Sequence, residues 1–206
     1  MINKDTRIYG SFSMNPGNNG CIFFNGMFEK YNINALYKSF YIDNIEKAVK
    51  CAKWLNFGGF AVSMPFKKDI IKYVDHVSES VNKIGSCNTV VIEAGLLTAF
   101  NTDYIAVIET IKSQSEIIIL GDGGFSLAAQ YAAKIASIKY DVINRKRWNE
   151  ITDLRNKFIF NCTPVTNLPI HESNTFIDGI PTSETGKKLA NIQAYEQFYL
   201  YTGIRE

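Results

Sequence analysis

The chain has 206 residues, of which 22 are basic and 20 acidic, for a net charge of +2, and 46% are hydrophobic. That composition excludes a collagen-like, coiled-coil or largely disordered chain, and the balanced charge gives no polybasic signal for bulk nucleic acid or an anionic membrane. No apolar run approaches the roughly 18 residues of a membrane helix, the start at Met1–Asp5 has no signal-peptide stretch, and Cys21, Cys51, Cys87 and Cys162 show no CxxC spacing. The expectation is a soluble, cytoplasmic protein in a reducing compartment, long enough for one large domain or two small ones.

In chain order, Arg7–Phe12 and Ala35–Phe40 read as strands, and Ile22, Phe23, Met27 and Phe28 between them suit one helix face. Asp43 with Glu46 three residues on predicts a capping box, followed by a helix with Ile45, Ala48, Val49, Ala52 and Leu55 on its apolar stripe. Gly58-Gly59 stops that helix and feeds a strand, Phe60–Val62, which Pro65 ends. Val90–Ile92 and Leu96–Ala99, separated by Glu93-Ala94-Gly95, read as a hairpin. A helix is expected from Asp103. Glu116–Leu120 is then a continuous apolar run after one acid, the pattern of a buried parallel strand. It enters Gly121-Asp122-Gly123-Gly124, a helix with Leu127, Ala128, Tyr131, Ala132 and Ile135 on one face, and a strand at Tyr140–Ile143. Phe158–Phe160 and Thr175–Ile177 read as short strands, and Glu184–Thr202 as a final helix.

The glycine turn matters because of where it stands. Between a strand and a helix, Gly121, Gly123 and Gly124 let backbone approach a pyrophosphate at a helix N-terminus. The competing reading is a tight turn without a ligand, and the Asp122 carboxylate opposes a phosphate unless it points away. After the next strand, Asn144-Arg145-Lys146-Arg147 suits a ribose 2′-phosphate, where an acid would suit a 2′-hydroxyl; the competing reading is a solvated basic helix start.

In the first half, Lys67 follows Val62–Phe66, Asn88 and Thr89 follow Ile84-Gly85, and Asn101, Thr102 and Asp103 follow the strand that ends at Phe100; residues just past the strand ends of a small α/β domain collect in one crevice. A Lys and an Asp there can share protons with a bound hydroxyl or carbonyl. Singly, Lys67 beside Lys68 also reads as a surface basic pair, and Asp103 as a helix N-cap. His76 and His171 sit in polar stretches without a nucleophile, and no metal-ligand spacing is present.

Taken together, Val62-Ser63-Met64-Pro65-Phe66-Lys67, Ile84-Gly85-Ser86-Cys87-Asn88-Thr89-Val90, Asn101-Thr102-Asp103, Leu120–Gly124, Asn144-Arg145-Lys146, Asn161-Cys162-Thr163-Pro164-Val165 and the tail Gln193–Phe198 resemble the shikimate dehydrogenase family. The resemblance implies an N-terminal α/β substrate domain over 1–105, a reduced Rossmann-like domain over 106–185 that binds NADP, and a final helix over 186–206 packing back on the first domain. It implies reduction of 3-dehydroshikimate to shikimate with NADPH, with Lys67 and Asp103 catalytic and Ser63, Asn88 and Gln193 on the substrate. Gly121, Gly123 and Gly124 would bind pyrophosphate, and Asn144, Arg145 and Lys146 the adenosine phosphate. The partner expected is a small polyol acid of shikimate type, with no nucleic acid, membrane or metal, and the chain a monomer or homodimer.

The chain also departs from that pattern. The positions of a Ser-x-Ser pair that grips the substrate carboxylate fall at Asn18 and Gly20, and Asn18 retains one hydrogen-bonding group. Losing two hydroxyl contacts to a carboxylate costs ~2–4 kcal/mol of binding. Ile180 stands where members carry a tyrosine, Thr166-Asn167 replaces a glycine–methionine turn, and the spacing leaves room for only about four strands in the second domain. Two readings follow: an NADP-dependent oxidoreductase acting on shikimate, quinate or a related cyclic polyol, or a catalytically degraded homologue that binds a small metabolite or regulates a partner.

Overall fold

In the computed structural model, which describes residues 2–205, β1 (Arg7–Ser13) runs parallel between β2 (Ala35–Tyr41) and β3 (Gly59–Val62). On the far side of β3, β5 (Thr89–Glu93) pairs antiparallel with β3 and with β6 (Leu96–Phe100), and a short β4 (His76–Val77) completes the order β2-β1-β3-β5-β6-β4. Glu93 pairs with Leu96, so the hairpin turn is Ala94–Gly95, with φ of 48° and 79°. Two left-handed residues in succession match the twist of the strands they join.

Alternation along β1 puts Tyr9 and Phe12 on opposite faces of this sheet. Tyr9 packs with Phe24, Met27 and Phe28 of α1 (Asn19–Lys30) and with Tyr37, Val91, Phe198 and Tyr201. Phe12 packs with Phe57, Phe60, Val62 and with Ile45, Ala48, Val49 and Ala52 of α2 (Ile45–Trp54). Three expectations change here. Ile22 is 74% exposed, because it precedes Phe24 by two residues and Phe28 by six, and so lies about 200° and about 240° around the helix from those two rings. The cap of α2 is Asn44, whose Oδ1 accepts from the Lys47 N–H at 2.9 Å, rather than Asp43. Glu46 turns to Lys50 at 2.6 Å instead of reaching back, and Leu55 falls one residue beyond the helix and is exposed. Neither α3 (Glu79–Ile84), capped by Ser78, nor β4 is evident from sequence periodicity, since each is too short to show one.

A second sheet follows α4 (Asp103–Ile111). It is fully parallel, in the order β10-β9-β7-β8, from β7 (Glu116–Leu120), β8 (Lys139–Ile143), β9 (Phe158–Asn161) and β10 (Thr175–Asp178). Between β7 and β8 runs α5 (Gly124–Ile135). Its buried face is Ser126, Ala128, Ala129, Ala132 and Ala133, while Ile135 is exposed. The expected stripe of Leu127, Tyr131 and Ile135 is displaced because Ile117, Ile119 and Phe160 fill the space from the sheet, leaving room for alanine on the helix. The last helix is α6 (Glu184–Thr202). The chain divides into two compact units, one of residues 1–102 with 194–206 and one of residues 103–193. Among the described residues, no helix is long and apolar enough to cross a membrane.

Candidate active site

In the first unit, β1 and β3 end, β5 begins and β6 ends at one edge of the sheet. The chain there is stitched by main-chain bonds. The Ser63 N–H donates to Phe12 O at 3.0 Å, the Val62 N–H to Asn88 O at 2.8 Å and the Cys87 N–H to Lys67 O at 2.7 Å. Ser63 and Lys67 are therefore held on a segment tied to both neighbouring strands, each half-buried.

Asn88 is buried. Its Oδ1 accepts from the Thr102 N–H and the Thr89 hydroxyl, both at 2.8 Å, and its Nδ2 donates to Thr102 Oγ1 at 2.9 Å. Asn101 Nδ2 donates to Ser86 O at 2.9 Å and Ser86 Oγ at 3.1 Å. Ser86, Asn88, Thr89, Asn101 and Thr102 are all buried, a polar layer inside an apolar fold that is stable only with its bonds made. The structure adds Gln197, on the part of α6 that belongs to this unit. Its Nε2 donates to Thr89 Oγ1 at 2.9 Å and Asn88 O at 3.3 Å. Gln193 is one turn earlier on the same helix face, half-buried. The Gln193/Gln197 spacing was the available signal for this second glutamine. Asp103 follows Thr102 directly, opens α4 and is 1% exposed.

The segment before α1 explains one departure. Asn18 is the N-cap residue, exposed, and its side chain makes no capping bond. At Gly20, a Cβ would stand 3.0 Å from Tyr37 Cε1 and 3.4 Å from the Tyr37 hydroxyl. Tyr37 is buried, stacked on Phe24 with ring centroids 4.4 Å apart, and its burial pushes the phenol well above its usual range. A serine at position 20 would press on that ring. Ser11 is turned to Ser39, with their hydroxyls 3.0 Å apart.

In the second unit, β7 leads into Gly121, whose φ is +103°. Its N–H donates to Ile143 O at 2.9 Å, and its carbonyl accepts from the Ser126 hydroxyl at 2.6 Å. A Cβ there would stand 2.7 Å from Thr163 Cγ2, whereas one at Gly123 meets nothing within 4 Å. The N-cap residue Gly123 offers no side chain to cap α5, and the first turn of the helix holds no acid, so its N-terminal partial positive charge is not neutralised from within the helix. Asp122 is exposed.

After β8, Asn144 Oδ1 accepts from the Lys146 N–H at 3.0 Å and caps a 3-10 segment, Arg145–Asp153. Arg147 is committed elsewhere, to Asp141 at 2.8 Å and Glu150 at 2.7 Å, and holds both carboxyls below the usual carboxylate range. Arg145 and Lys146 are exposed and make no ion pair among the described residues. His76 and His171 are exposed, and no group of metal-ligating side chains occurs among the described residues.

The profile of the shikimate dehydrogenase substrate-binding domain matches residues 20–90. A shikimate dehydrogenase-like protein of Haemophilus influenzae is 40% identical over 139 residues, covering 65% of this chain and 51% of that protein. A shikimate dehydrogenase (NADP(+)) of Pyrococcus furiosus is 36% identical over 154 residues, covering 70% and 56%. Among solved structures, a shikimate 5-dehydrogenase-like protein aligns with a TM-score of 0.83 at 28% identity over 100% of this chain and 95% of that one. The shikimate dehydrogenase of Aquifex aeolicus gives 0.82 at 26% identity, over 100% and 96%. The profile, these relatives and these structures together support a member of the shikimate dehydrogenase family. Its fold is the α/β arrangement of that family, a substrate-type sheet followed by a Rossmann-like parallel one. In sequence, the chain spans about half the length of the curated relatives it matches. The bonds of Asn88 and Gln197 and the Gly20–Tyr37 contact come from the fold and are not evident in the motif strings.

Proposed function

We propose that this chain is an NADP-dependent oxidoreductase of shikimate dehydrogenase type, interconverting 3-dehydroshikimate and shikimate or a related cyclic polyol. The observation that carries the reading is the hydrogen-bonded Asn88–Thr102–Thr89–Gln197 layer, tied to the start of the segment bearing Lys67 by the Val62 N–H to Asn88 O bond. A surface basic pair would not need such support. Lys67, as an ammonium, donates a proton to the substrate oxygen as it becomes an alcohol, and in the reverse direction takes that proton as an amine. Asp103 holds the neighbouring hydroxyl and orients the ring. Ser63, Asn88, Gln193 and Asn18 bind the remaining hydroxyls and the acid group.

The second unit fits a dinucleotide on its own geometry. Gly121 is confined to glycine by its φ and by Thr163, Gly123 leaves its approach open, and Arg145 and Lys146 are exposed cations past β8 with no ion pair among the described residues. Gly121, Gly123 and Gly124 would hold the pyrophosphate, and Asn144, Arg145 and Lys146 the 2′-phosphate. When bound, NADP supplies the hydride acceptor for alcohol oxidation. The relatives' names and the presence of NADP in two structural neighbours support this choice of cofactor.

The second reading, a catalytically degraded homologue that binds a metabolite or regulates a partner, is favoured by the Gly20–Tyr37 packing and the four-stranded second sheet. Thermal unfolding with each ligand alone separates cofactor binding from its loss. NADP at 100 times its dissociation constant stabilises by about 2.7 kcal/mol, and NAD at the same concentration by much less. In the Arg145→Ala/Lys146→Ala double variant the two cofactors give equal, small shifts, because the 2′-phosphate contributes most of the difference. Equal shifts in the wild type would refute the role of the basic pair.

A further inference from the structure

Asn161, at the end of β9, is fully buried and uses its carboxamide to capacity. Its Nδ2 donates to Asp178 Oδ1 at 3.0 Å and to Val165 O at 3.2 Å. Its Oδ1 accepts from the Thr163 N–H at 2.9 Å and the Thr163 hydroxyl at 2.7 Å. An amide side chain has two donor hydrogens and two acceptor lone pairs, so nothing is left over. Thr163, fixed in this way, sets its methyl against Gly121: the gap there is too small for a Cβ, at 2.7 Å.

The other side of the glycine turn is fixed through the same residue. The Gly179 N–H donates to Asn161 O at 3.0 Å. A Cβ on Gly179 would stand 2.6 Å from Asn161 O and 2.7 Å from Phe125 Cε1, and Phe125 is the second residue of α5. Asp178 is in turn secured: its Oδ1 also accepts from the Ile180 N–H at 3.1 Å, and its main chain accepts from the Thr185 hydroxyl at 2.7 Å. The strand end Asp178–Gly179 thus abuts the first turn of α5, while the loop at Thr163 abuts the residue that opens the glycine turn.

We propose that Asn161 and Asp178 are positioning residues for the glycine turn. They touch no ligand. They hold Thr163 on one side and Gly179 on the other, so that Gly121–Gly124 keeps one shape ready for a pyrophosphate. The proposal rests on the dinucleotide reading given above. It predicts that acceptor geometry, and not the Asp178 charge, is what matters. Both bonds to the Asp178 side chain fall on Oδ1, and an asparagine carbonyl oxygen accepts both equally well.

The test compares Asp178→Asn, Asp178→Ala and Thr163→Val by NADPH fluorescence titration and by hydrogen exchange at Gly121–Phe125 in the ligand-free protein. Thr163→Val keeps the methyl against Gly121 and removes the hydroxyl bond, which avoids dependence on a buried deletion that fails to fold. Asp178→Asn is expected to match the wild type in both readouts. Asp178→Ala and Thr163→Val are expected to raise the NADPH dissociation constant about tenfold, the scale of one lost hydrogen bond. They are also expected to speed exchange at Gly121–Phe125, with amides at Ile117–Ile119 unchanged. Wild-type affinity and exchange in Asp178→Ala would overturn the proposal, as would faster exchange spread evenly over the second sheet, the mark of a merely structural role. A wild-type chain that binds no NADPH would overturn the dinucleotide reading, while exchange at Gly121–Phe125 would still decide whether the brace exists.

Discussion

Lys67→Ala is expected to lower kcat for polyol oxidation by about 10²–10⁴-fold, the usual contribution of a positioned proton donor and acceptor, with little change in unfolding temperature. The stability expectation follows from the structure: one bond that ties this residue to its neighbours runs through its carbonyl, which accepts from the Cys87 N–H at 2.7 Å. Truncating a half-buried side chain leaves that bond in place. Lys67→Arg provides the sharper control. Arginine keeps the positive charge but does not release a proton near neutral pH, so a charge-only role would be rescued and a proton-transfer role would not. Steady-state rates and melting curves on the three proteins decide between them. Turnover unchanged in Lys67→Ala would remove Lys67 from the chemistry.

Gly121→Ala and Gly123→Ala are expected to part company. At Gly121 an alanine is forced to φ near +103° and its Cβ meets Thr163 Cγ2 at 2.7 Å. Such backbone positions cost about 1–3 kcal/mol for a non-glycine residue, before the contact with Thr163 is counted. The variant is therefore expected to melt earlier and to lose cofactor affinity. At Gly123, φ is −77° and a Cβ meets nothing, so the fold tolerates alanine. The methyl still projects from the cap of α5, where a pyrophosphate must approach the backbone closely. Gly123→Ala is expected to lose about tenfold or more in NADP affinity at nearly unchanged stability. Parallel melting and cofactor titration of both variants check this. Full affinity in Gly123→Ala would make the turn a structural one.

Much of this architecture is legible in the sequence because a few signals are strong. A continuous apolar strand entering a glycine turn, Glu116–Gly124, fixes the start of the second sheet, and Ala94-Gly95 fixes the hairpin. What stays hidden depends on distant partners. Gln197 reads as one more polar residue on a helix, and only the fold brings it to Asn88 and Thr89, more than a hundred residues earlier. Asn88 reads as a ligand-binding amide, yet much of its side chain is spent on Thr89 and Thr102. The alanine face of α5 is set by the bulk of Ile117, Ile119 and Phe160 on the sheet, which periodicity within the helix does not report. The cap at Asn44 instead of Asp43 reflects two adjacent residues with nearly equal capping preference.

The most direct test of oxidoreductase function is the rise in absorbance of NADPH when the purified protein is mixed with NADP and shikimate, and separately with quinate. A steady-state rate that scales with enzyme concentration, and that falls away in Lys67→Ala, is the result predicted here. A protein that binds NADP yet turns over neither polyol would contradict it, and would leave the binding or regulatory homologue as the function of this chain.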